Sequence, residues 1–214
     1  ASAFATACGG PQIGRLWDFN VTFDGEVVVI GAGAAGLGAG YLLDRYGVPF
    51  TVFEAAPVIG GRTRRLEGFA DFPIDLGAEW IHEDPQVLAE LIDDDEASGS
   101  VDVVPYSPDR VSFVNDDGEA VRLNAGGNYY SEYKFKRGTW HGFLETHFAQ
   151  RFEDRIRTSA PVVSVDHSGE RVRITLLDGE VIEADAVVVT VPIKILQRGD
   201  IAFTPALSDS RTAD

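Results

Sequence analysis

Alternating apolar runs and amphipathic stretches at the start of the chain predict a βαβ unit. Val27–Ile30 is a continuous apolar run, which is typical of a parallel strand buried on both faces. Residues 34–46 read as a helix that stops at Gly47-Val48-Pro49. Phe50–Phe53 is a second apolar run, and Glu54 ends it.

The far end of the chain reads as antiparallel strands followed by a buried one. Val162–Asp166 and Arg171–Leu177 are strands across a Ser-Gly turn, and Asp178-Gly179 predicts a hairpin into a third strand. These strands form a three-stranded β-meander. The apolar run Ala186–Val191 is placed back in the parallel sheet. The predicted fold class is therefore α/β: a Rossmann-type dinucleotide-binding fold with a parallel sheet, plus the meander.

The middle of the chain carries weaker patterns. Pro85–Ile92 reads as a short helix, and the charge run Asp93–Glu96 as its solvated end. Short strands and loops are expected over residues 97–140, because Gly, Pro, Asn and Asp are frequent there. Trp140–Ile156 has helical character, with aromatic residues near one face.

The charge and the titratable residues exclude several function classes. A net charge of −16 repels phosphates, so nucleic acid is not an expected partner. Two interpretations of this charge stay open, simple solubility and steering of cationic substrates. Cys8 is the single cysteine, and the four histidines lack ligand-like spacing, so no metal site is predicted. No apolar run approaches the roughly 20 residues of a transmembrane segment.

The first residues have two interpretations. Ala1–Ala7 is small and apolar and runs into Cys8-Gly9-Gly10, like the end of a bacterial lipoprotein signal whose cysteine is lipidated. This interpretation predicts a periplasmic or cell-envelope location. The other is a disordered tail with an ordinary cysteine, on a cytoplasmic protein.

A glycine-rich turn links the first strand to the first helix. In Gly31-Ala32-Gly33-Ala34-Ala35-Gly36, the first glycine permits a tight turn, the second admits a pyrophosphate, and the third lets helix and strand pack closely. Glu54 lies 18 residues after Gly36, near the expected position of a carboxylate that holds a ribose. The motif predicts a dinucleotide other than NADP, because an acid there disfavours a 2′-phosphate. A structural turn without ligand is the alternative.

Two further motifs carry a resemblance to a known family. Gly60-Gly61-Arg62 follows Glu54 closely, and its arginine can pair with a diphosphate. The stretch from Pro73 to His82, PIDLGAEWIH, comes next. Both resemble segments of the flavin amine oxidases, which include monoamine, polyamine and L-amino-acid oxidases. The second resembles that family's DLGASWIHG segment, whose backbone passes the flavin ring.

The resemblance implies roles in the second motif. Gly77 and Ala78 are expected to be small because the isoalloxazine lies against them, and Trp80 and His82 are the candidate catalytic residues on the substrate side. Core packing for Trp80 and a structural role for His82 stay open. The chain departs from the family at Glu79, where a small residue is usual, and Glu83 stands where glycine is common.

The resemblance continues near the end of the chain. Residues 160–165, APVVSV, resemble the segment that contacts adenine through a backbone valine, here Val162. Residues 183–192 resemble the family's ADxVIVTVP strand, and Phe203–Leu207 resembles its FxPxLP stretch. The resemblance covers 26–82 and 160–207 well, whereas 83–159 is shorter than usual and matches loosely. The implied cofactor is FAD, with these binding residues: Gly31, Gly33, Ala34, Ala35, Gly36, Glu54, Gly60, Gly61, Arg62, Gly77, Ala78, Glu79, Trp80, Val162 and Thr190.

The resemblance also implies the domain plan. Residues 1–24 are a tail, 25–82 the FAD-binding βαβ unit with its flavin-proximal segment, and 83–159 a partial, small substrate lobe. Residues 160–207 hold the meander and return strand, and 208–214 a truncated end. The family's C-terminal flavin segment and its lysine near flavin N5 lie beyond position 207. We therefore expect either a fragment or one chain of a processed enzyme whose second chain supplies the rest, and weak FAD affinity with little or no oxidase activity for this chain alone.

The implied reaction oxidises the C–N bond of a small-molecule amine to an imine, with O2 reduced to H2O2. Three alternatives stay open. The first is an FAD-dependent desaturase or porphyrinogen-type oxidase that acts on a C–C bond. The second is an NAD-dependent dehydrogenase, against which the Gly60–Arg62 and Asp75–His82 motifs argue. The third is a non-catalytic cofactor-binding fragment or subunit.

Overall fold

The computed structural model describes residues 21–92, 102–106, 110–124 and 132–208. The predicted lipoprotein cysteine, Cys8, and the charge run Asp93–Glu96 lie outside them. The chain divides into two compact units, one of Thr22–Trp80 with Lys134–Asp214 and one that includes Ile81–Tyr133.

The elements follow one another along the chain, and a 3-10 helix at Ala149–Arg155 lies between α3 and β9. They are β1 (Val27–Ile30), α1 (Ala34–Arg45), β2 (Phe50–Phe53), β3 (Arg65–Leu66), β4 (Ile74–Asp75), α2 (Gln86–Ile92), β5 (Val103–Tyr106), β6 (Arg110–Val114), β7 (Ala120–Asn124), β8 (Glu132–Phe135), α3 (Trp140–His147), β9 (Ile156–Arg157), β10 (Val162–Asp166), β11 (Val172–Leu176), β12 (Val181–Ala184), β13 (Ala186–Val189), α4 (Ile193–Gln197) and β14 (Ala202–Thr204).

A parallel sheet organises the larger unit. Its strand order is β13-β1-β2-β9, and each neighbouring pair is parallel. All four residues of β1 are buried, as expected for a central strand covered on both faces. The predicted βαβ unit and the return of the chain into the sheet at β13 are confirmed.

The predicted meander covers one face of that sheet. The antiparallel strands β10, β11 and β12 form it, and β14 adds a parallel fourth strand beside β10. Val28, Ile30 and Phe53 of the parallel sheet share one core with Val165 and Ile174 of the meander. The cluster also explains why the apolar positions of β11 alternate, because only one face of the meander is buried.

The helix predicted over Trp140–Ile156 is shorter than expected. α3 ends at His147, and the 3-10 helix that follows has non-helical dihedral angles at Phe152. The Phe152 side chain is fully buried and its ring meets Phe50 edge-on. Ile156 is extended because it pairs with Val52 of β2. Burial of one aromatic ring and a strand pairing therefore override the local helical pattern.

The smaller unit is described in part. In α2 the buried residues are Leu88, Ala89 and Ile92. β6 and β7 form an antiparallel hairpin, and the Asn115 side chain accepts hydrogen bonds from the backbone of Asp117 and Glu119 in its turn. Ile81 and Tyr133 exchange two backbone hydrogen bonds.

Candidate dinucleotide site

The turn between β1 and α1 depends on Gly31 and Thr190. Gly31 has a φ of 103°, and a Cβ there would lie 2.8 Å from the Thr190 hydroxyl. That hydroxyl donates to the carbonyl oxygens of Ile30 at 2.8 Å and Gly31 at 3.1 Å. Thr190, which follows β13, therefore holds the turn from within the protein, whatever it contacts in a ligand.

The two later glycines of the motif have opposite surroundings. A Cβ on Gly36 would lie 1.8 Å from the carbonyl oxygen of Gly31, so α1 packs directly on the turn. A Cβ on Gly33 would meet nothing within 4 Å. The backbone at Gly33 is therefore open to a ligand, whereas Gly36 is required by the fold.

The start of α1 is open to solvent. Ala34 and Ala35 are exposed, and Gly33 at the N-cap supplies no side-chain acceptor to the helix. The first amides of a helix have no acceptor within it, and the helix dipole adds positive potential at this end. An anion of phosphate type fits this position.

Glu54 faces the same turn. Its Oε2 accepts from the backbone N–H of Ala32 at 2.7 Å, and its Oε1 accepts from that of Ala56 at 2.8 Å. A carboxylate has about four acceptor positions, so both oxygens keep capacity for a hydroxyl donor. The carboxylate is thus fixed next to the glycine turn, where a ribose would neighbour the diphosphate.

The Gly60-Gly61-Arg62 loop lies against the turn. The N–H of Gly60 donates to the carbonyl of Ala32 at 2.8 Å. Gly60 and Gly61 have φ values of 99° and 55°, and a Cβ on Gly61 would lie 3.4 Å from Gly33 Cα. Arg62 is exposed, and within the described chain its guanidinium has no partner. It is free to pair with an anion beside the turn.

The segment with Gly77 and Ala78 lies against the backbone of this loop. A Cβ on Gly77 would lie 1.9 Å from the Arg62 carbonyl oxygen, and Leu76 N–H donates to the Arg64 carbonyl at 2.8 Å. The close approach of Arg62 therefore accounts for a glycine at position 77 without any ligand. Gly77 and Ala78 are both exposed, so their outer side is open.

Asp75 and Trp140 join this segment to α3. Asp75 Oδ1 accepts from the backbone N–H of Trp140 at 3.0 Å. Burial raises the pKa of the Asp75 carboxyl from 3.8 to about 6. The Trp140 N–H opposes the increase, the charge of Glu79 adds to it, and the charge of Lys134 opposes it. The carboxyl therefore titrates near neutral pH within a motif that the resemblance places beside the flavin.

Trp80 and Glu79 share a contact with Lys134. The Lys134 ammonium lies 4.0 Å from the Trp80 ring centroid and 2.5 Å from Glu79 Oε1. Trp80 is half-buried, and its carbonyl accepts from the indole N–H of Trp140 at 3.2 Å. The acid that replaces the family's usual small residue at position 79 is thus paired within the chain.

His82 belongs to the smaller unit. Its side chain is 67% exposed, and its Nδ1 lies 3.1 Å from Glu132 Oε1. Its assignment to the substrate side stays a prediction.

Val162 contributes its side chain to the core. It is buried among the residues shared by the sheet and the meander. The pairing of β10 with β11 shifts register between Val162 and Ser164. The side chain of Val162 is therefore not available to a ligand, and the backbone contact with adenine that the resemblance implies stays a prediction.

A cavity of about 700 Å³ lies on another side of the Gly60–Arg62 loop. Its lining includes Ile59, Arg64 and His141, but neither Gly33 nor Glu54, so it is separate from the phosphate position. In the part of the chain that is described, no cluster of His, Cys, Asp or Glu could hold a metal ion. The same residues include no helix long and apolar enough to cross a bilayer.

Two family models match this chain. Residues 29–94 match the NAD(P)-binding Rossmann-like domain, and residues 142–214 match the flavin containing amine oxidoreductases. The first match contains the glycine turn, Glu54 and the Gly60–Arg62 loop, and the second contains the meander and the return strand. Each match covers about a third of the chain, and together they indicate similarity to the N-terminal portion of the flavin-containing amine oxidoreductases. These similarities indicate an oxidoreductase-type domain and a flavin as the cofactor.

The similarity of this chain to curated relatives is limited to a short segment. The chain is 48% identical over 56 residues to lysine-specific histone demethylase 1B of Mus musculus, 26% of this chain and 7% of that protein. It is 46% identical over 56 residues to lysine-specific histone demethylase 1 homolog 3 of Arabidopsis thaliana, 3% of that protein. The match thus spans a small part of these larger proteins.

Solved structures support the fold. A redesigned variant of putrescine oxidase superposes with a TM-score of 0.68 at 14% identity, over 88% of this chain and 62% of the other. A second redesigned variant gives 0.66 at 13% identity. The Rossmann-type α/β fold class is confirmed. The need for a second chain stays a prediction.

The sequence reasoning missed Trp140 and the roles of Asp75 and Lys134. Thr139 gives the one available signal, because its hydroxyl caps α3 by accepting from Gly142 N–H at 3.0 Å, and Thr is a favoured N-cap residue. That signal places the start of the helix at Trp140. It does not show that the same residue reaches Asp75 and Trp80, since those contacts span 65 and 60 positions.

Proposed function

We propose that this chain is the FAD-binding part of an enzyme that oxidises amines. One arrangement carries the proposal: Gly33 is open, the start of α1 is exposed, and the turn lies beside Glu54 and Arg62, whose guanidinium has no partner among the described residues. The order of these groups matches the order of the parts of a dinucleotide. The ribose would lie at Glu54, and the diphosphate would lie at the start of α1 with Arg62 beside it.

Different residues of the site would bind different parts of FAD. The amides at Ala34, Ala35 and Gly36 would carry the diphosphate charge, and Arg62 would add a charge-assisted hydrogen bond. Glu54 would accept from ribose hydroxyls, and the backbone of Val162 would contact the adenine. The exposed backbone at Gly77 and Ala78 would lie along the isoalloxazine, with Glu79 and Trp80 at its end and His82 toward the substrate.

The reaction follows from the family and from the names of the relatives. Those names, a lysine-specific demethylase and a putrescine oxidase, indicate amines as the substrate class. When bound, FAD would supply the two-electron chemistry that oxidises a C–N bond to an imine, with O2 as the electron acceptor and H2O2 as the second product. The resulting imine is hydrolysed by water. The net charge of −16 would raise the local concentration of a cationic amine.

Titration calorimetry with FAD, FMN and NAD tests this proposal. The native protein is expected to bind FAD more tightly than FMN or NAD. Arg62→Ala is expected to weaken FAD binding by about tenfold, the value of a charge-assisted hydrogen bond. Arg64→Ala is the matched control, because Arg64 is equally exposed, has no partner within the described chain and follows two positions later.

Three outcomes would overturn parts of the proposal. A protein that ignores FAD and binds NAD would be a nicotinamide enzyme. Equal effects of the two arginine substitutions would remove Arg62 from the site. Binding of FAD without peroxide release from monoamines, polyamines and amino acids, in protein completed by the expected second chain, would favour a desaturase, a porphyrinogen-type oxidase or a non-catalytic subunit.

A further inference from the structure

The segment from Asp75 to Trp80 has little regular structure of its own. Only its first residue lies in a strand, the last of β4. On one side it is fixed by the backbone of the Gly60–Arg62 loop and its continuation, through the Leu76 N–H and the close contact at Gly77. A second attachment is needed on the other side to set the direction of its exposed face.

We propose that Trp140 is the positioning residue that supplies this second attachment, by holding both ends of the segment 75–80. Its backbone N–H donates to Asp75 Oδ1 at 3.0 Å, and its indole N–H donates to the Trp80 carbonyl at 3.2 Å. One residue thus fixes the first and the last member of a six-residue stretch.

The Trp140 ring is itself held in place. It meets Phe135 edge-on at 5.4 Å and Phe143 edge-on at 6.0 Å between centroids. Its backbone is the first residue of α3, where an N–H has no acceptor within the helix and is free to donate to Asp75. Both donors are therefore directed by packing and by the helix.

Charged groups complete the far end of the segment. Lys134 lies over the Trp80 ring and pairs with Glu79, and these two charges are the ones that act on the Asp75 carboxyl. The inference rests on the proposed function in one respect: the segment matters for the cofactor only if its exposed backbone lies along the flavin.

Trp140→Phe tests the inference in the protein without cofactor. The substitution keeps an aromatic ring between Phe135 and Phe143 but removes the indole donor. Within 76–81 we expect hydrogen exchange of the Leu76 amide, which is protected by its bond to the Arg64 carbonyl, to rise about fivefold, because opening of the segment then breaks one hydrogen bond fewer. Glu145→Gln is the matched control, because it weakens the 2.6 Å ion pair between Arg65 and α3 without touching Trp140.

A second readout uses the FAD-loaded protein. Trp140→Phe is expected to shift the visible absorption bands of the flavin, and Glu145→Gln to leave them unchanged. A general loss of stability would lower the melting temperature of both variants alike without moving the bands.

Equal exchange in 76–81 for the native protein and Trp140→Phe would overturn the inference. So would an equal rise in Glu145→Gln. If the native protein takes up no FAD, the proposed function fails, and the exchange comparison still decides whether Trp140 holds the segment.

Discussion

At the scale of single residues, acidic side chains are used as fixed acceptors. Glu54 accepts from the backbone N–H of Ala32, within the cofactor turn, and from that of Ala56, which keeps the carboxylate in place before any ligand binds. Asp75 accepts from the first amide of α3. Preorganisation of this kind lowers the cost of ordering side chains when a ligand binds.

Asp75 makes the stability of the fold depend on pH. Its folded-state pKa of about 6 exceeds 3.8, so between these values the folded chain keeps a proton that the unfolded chain has lost. The free energy of unfolding therefore falls as pH rises through this window, and the loss stays constant above it. The pKa change corresponds to at most about 3 kcal/mol, and solvent screening reduces this to about 1 kcal/mol.

Asp75→Asn is expected to remove this dependence. Its side-chain oxygen still accepts from Trp140, so the variant should gain about 1 kcal/mol relative to the native protein at pH 7.5 and nothing at pH 4. Urea unfolding at a series of pH values measures the difference. Asp71→Asn is the control, because Asp71 is an exposed acid in the connection between β3 and β4. An equal gain in the free energy of unfolding at both pH values would contradict the raised pKa of Asp75 as the source of the pH dependence.

At the scale of elements, α1 shows how one helix both packs and opens a site. Gly36 permits contact with the turn, Gly40 leaves room for the Phe152 ring 2.8 Å from where a Cβ would be, and Gly38 meets nothing within 4 Å. Three glycines in one helix weaken it by roughly 0.5–1 kcal/mol each relative to alanine. At Gly36 and Gly40 the close packing leaves no room for a Cβ, so the helix keeps a glycine there despite this loss of stability.

Gly36→Ala and Gly38→Ala are expected to have opposite effects. The first forces a methyl group into the Gly31 carbonyl and should lower the free energy of unfolding by about 3 kcal/mol. The second should raise it by roughly 0.5–1 kcal/mol through helix propensity. Chemical denaturation measures both. Tolerance of alanine at position 36 would show that α1 does not pack on the turn.

Element prediction succeeded where the pattern is long or bounded by strong turn residues. β1, α1, β2 and the meander have continuous apolar runs or a clear Asp-Gly turn, and these local signals agree with the final contacts. The two-residue strands β3 and β4 have no pattern to detect. β14 is stabilised by pairing with β10, a partner almost 40 positions away along the chain.

At the scale of the molecule, the larger unit is held by a core between the parallel sheet and the meander. Ile174 is fully buried in it, together with Val28, Ile30 and Phe53. The same sheet presents its strand ends to the cofactor turn, which is where open α/β sheets bind ligands. Stability of this core and integrity of the site are therefore linked.

Ile174→Ala is expected to cost about 3 kcal/mol of unfolding free energy, within the range for large-to-small core changes. Ile193→Ala is the matched control, because Ile193 is 47% exposed on α4 and should change the value by less than about 0.5 kcal/mol. Thermal or urea unfolding measures both. Similar losses in the two variants would contradict a shared core.

The candidate site was predictable where its residues are sequential and less so where the fold assembles it. The glycine turn and Glu54 follow from spacing, since the motif encodes its own geometry. Two features became visible only in the structure. The Arg62 guanidinium has no partner among the described residues, and the close approach of the Arg62 backbone requires a glycine at position 77. The link from Trp140 to Asp75 and Trp80 joins distant parts of the chain, and no local pattern encodes it.

Gly33→Val gives the most direct test of the cofactor turn, because a Cβ at position 33 would meet nothing within 4 Å and the added side chain would extend into the place proposed for the diphosphate. The melting temperature without ligand should fall by only a few degrees, because the position is open but valine is a poorer N-cap residue than glycine. FAD affinity, measured by titration of flavin fluorescence, should fall by at least about tenfold. Unchanged FAD affinity in a folded Gly33→Val variant, or absence of FAD binding by the native protein, would contradict the account.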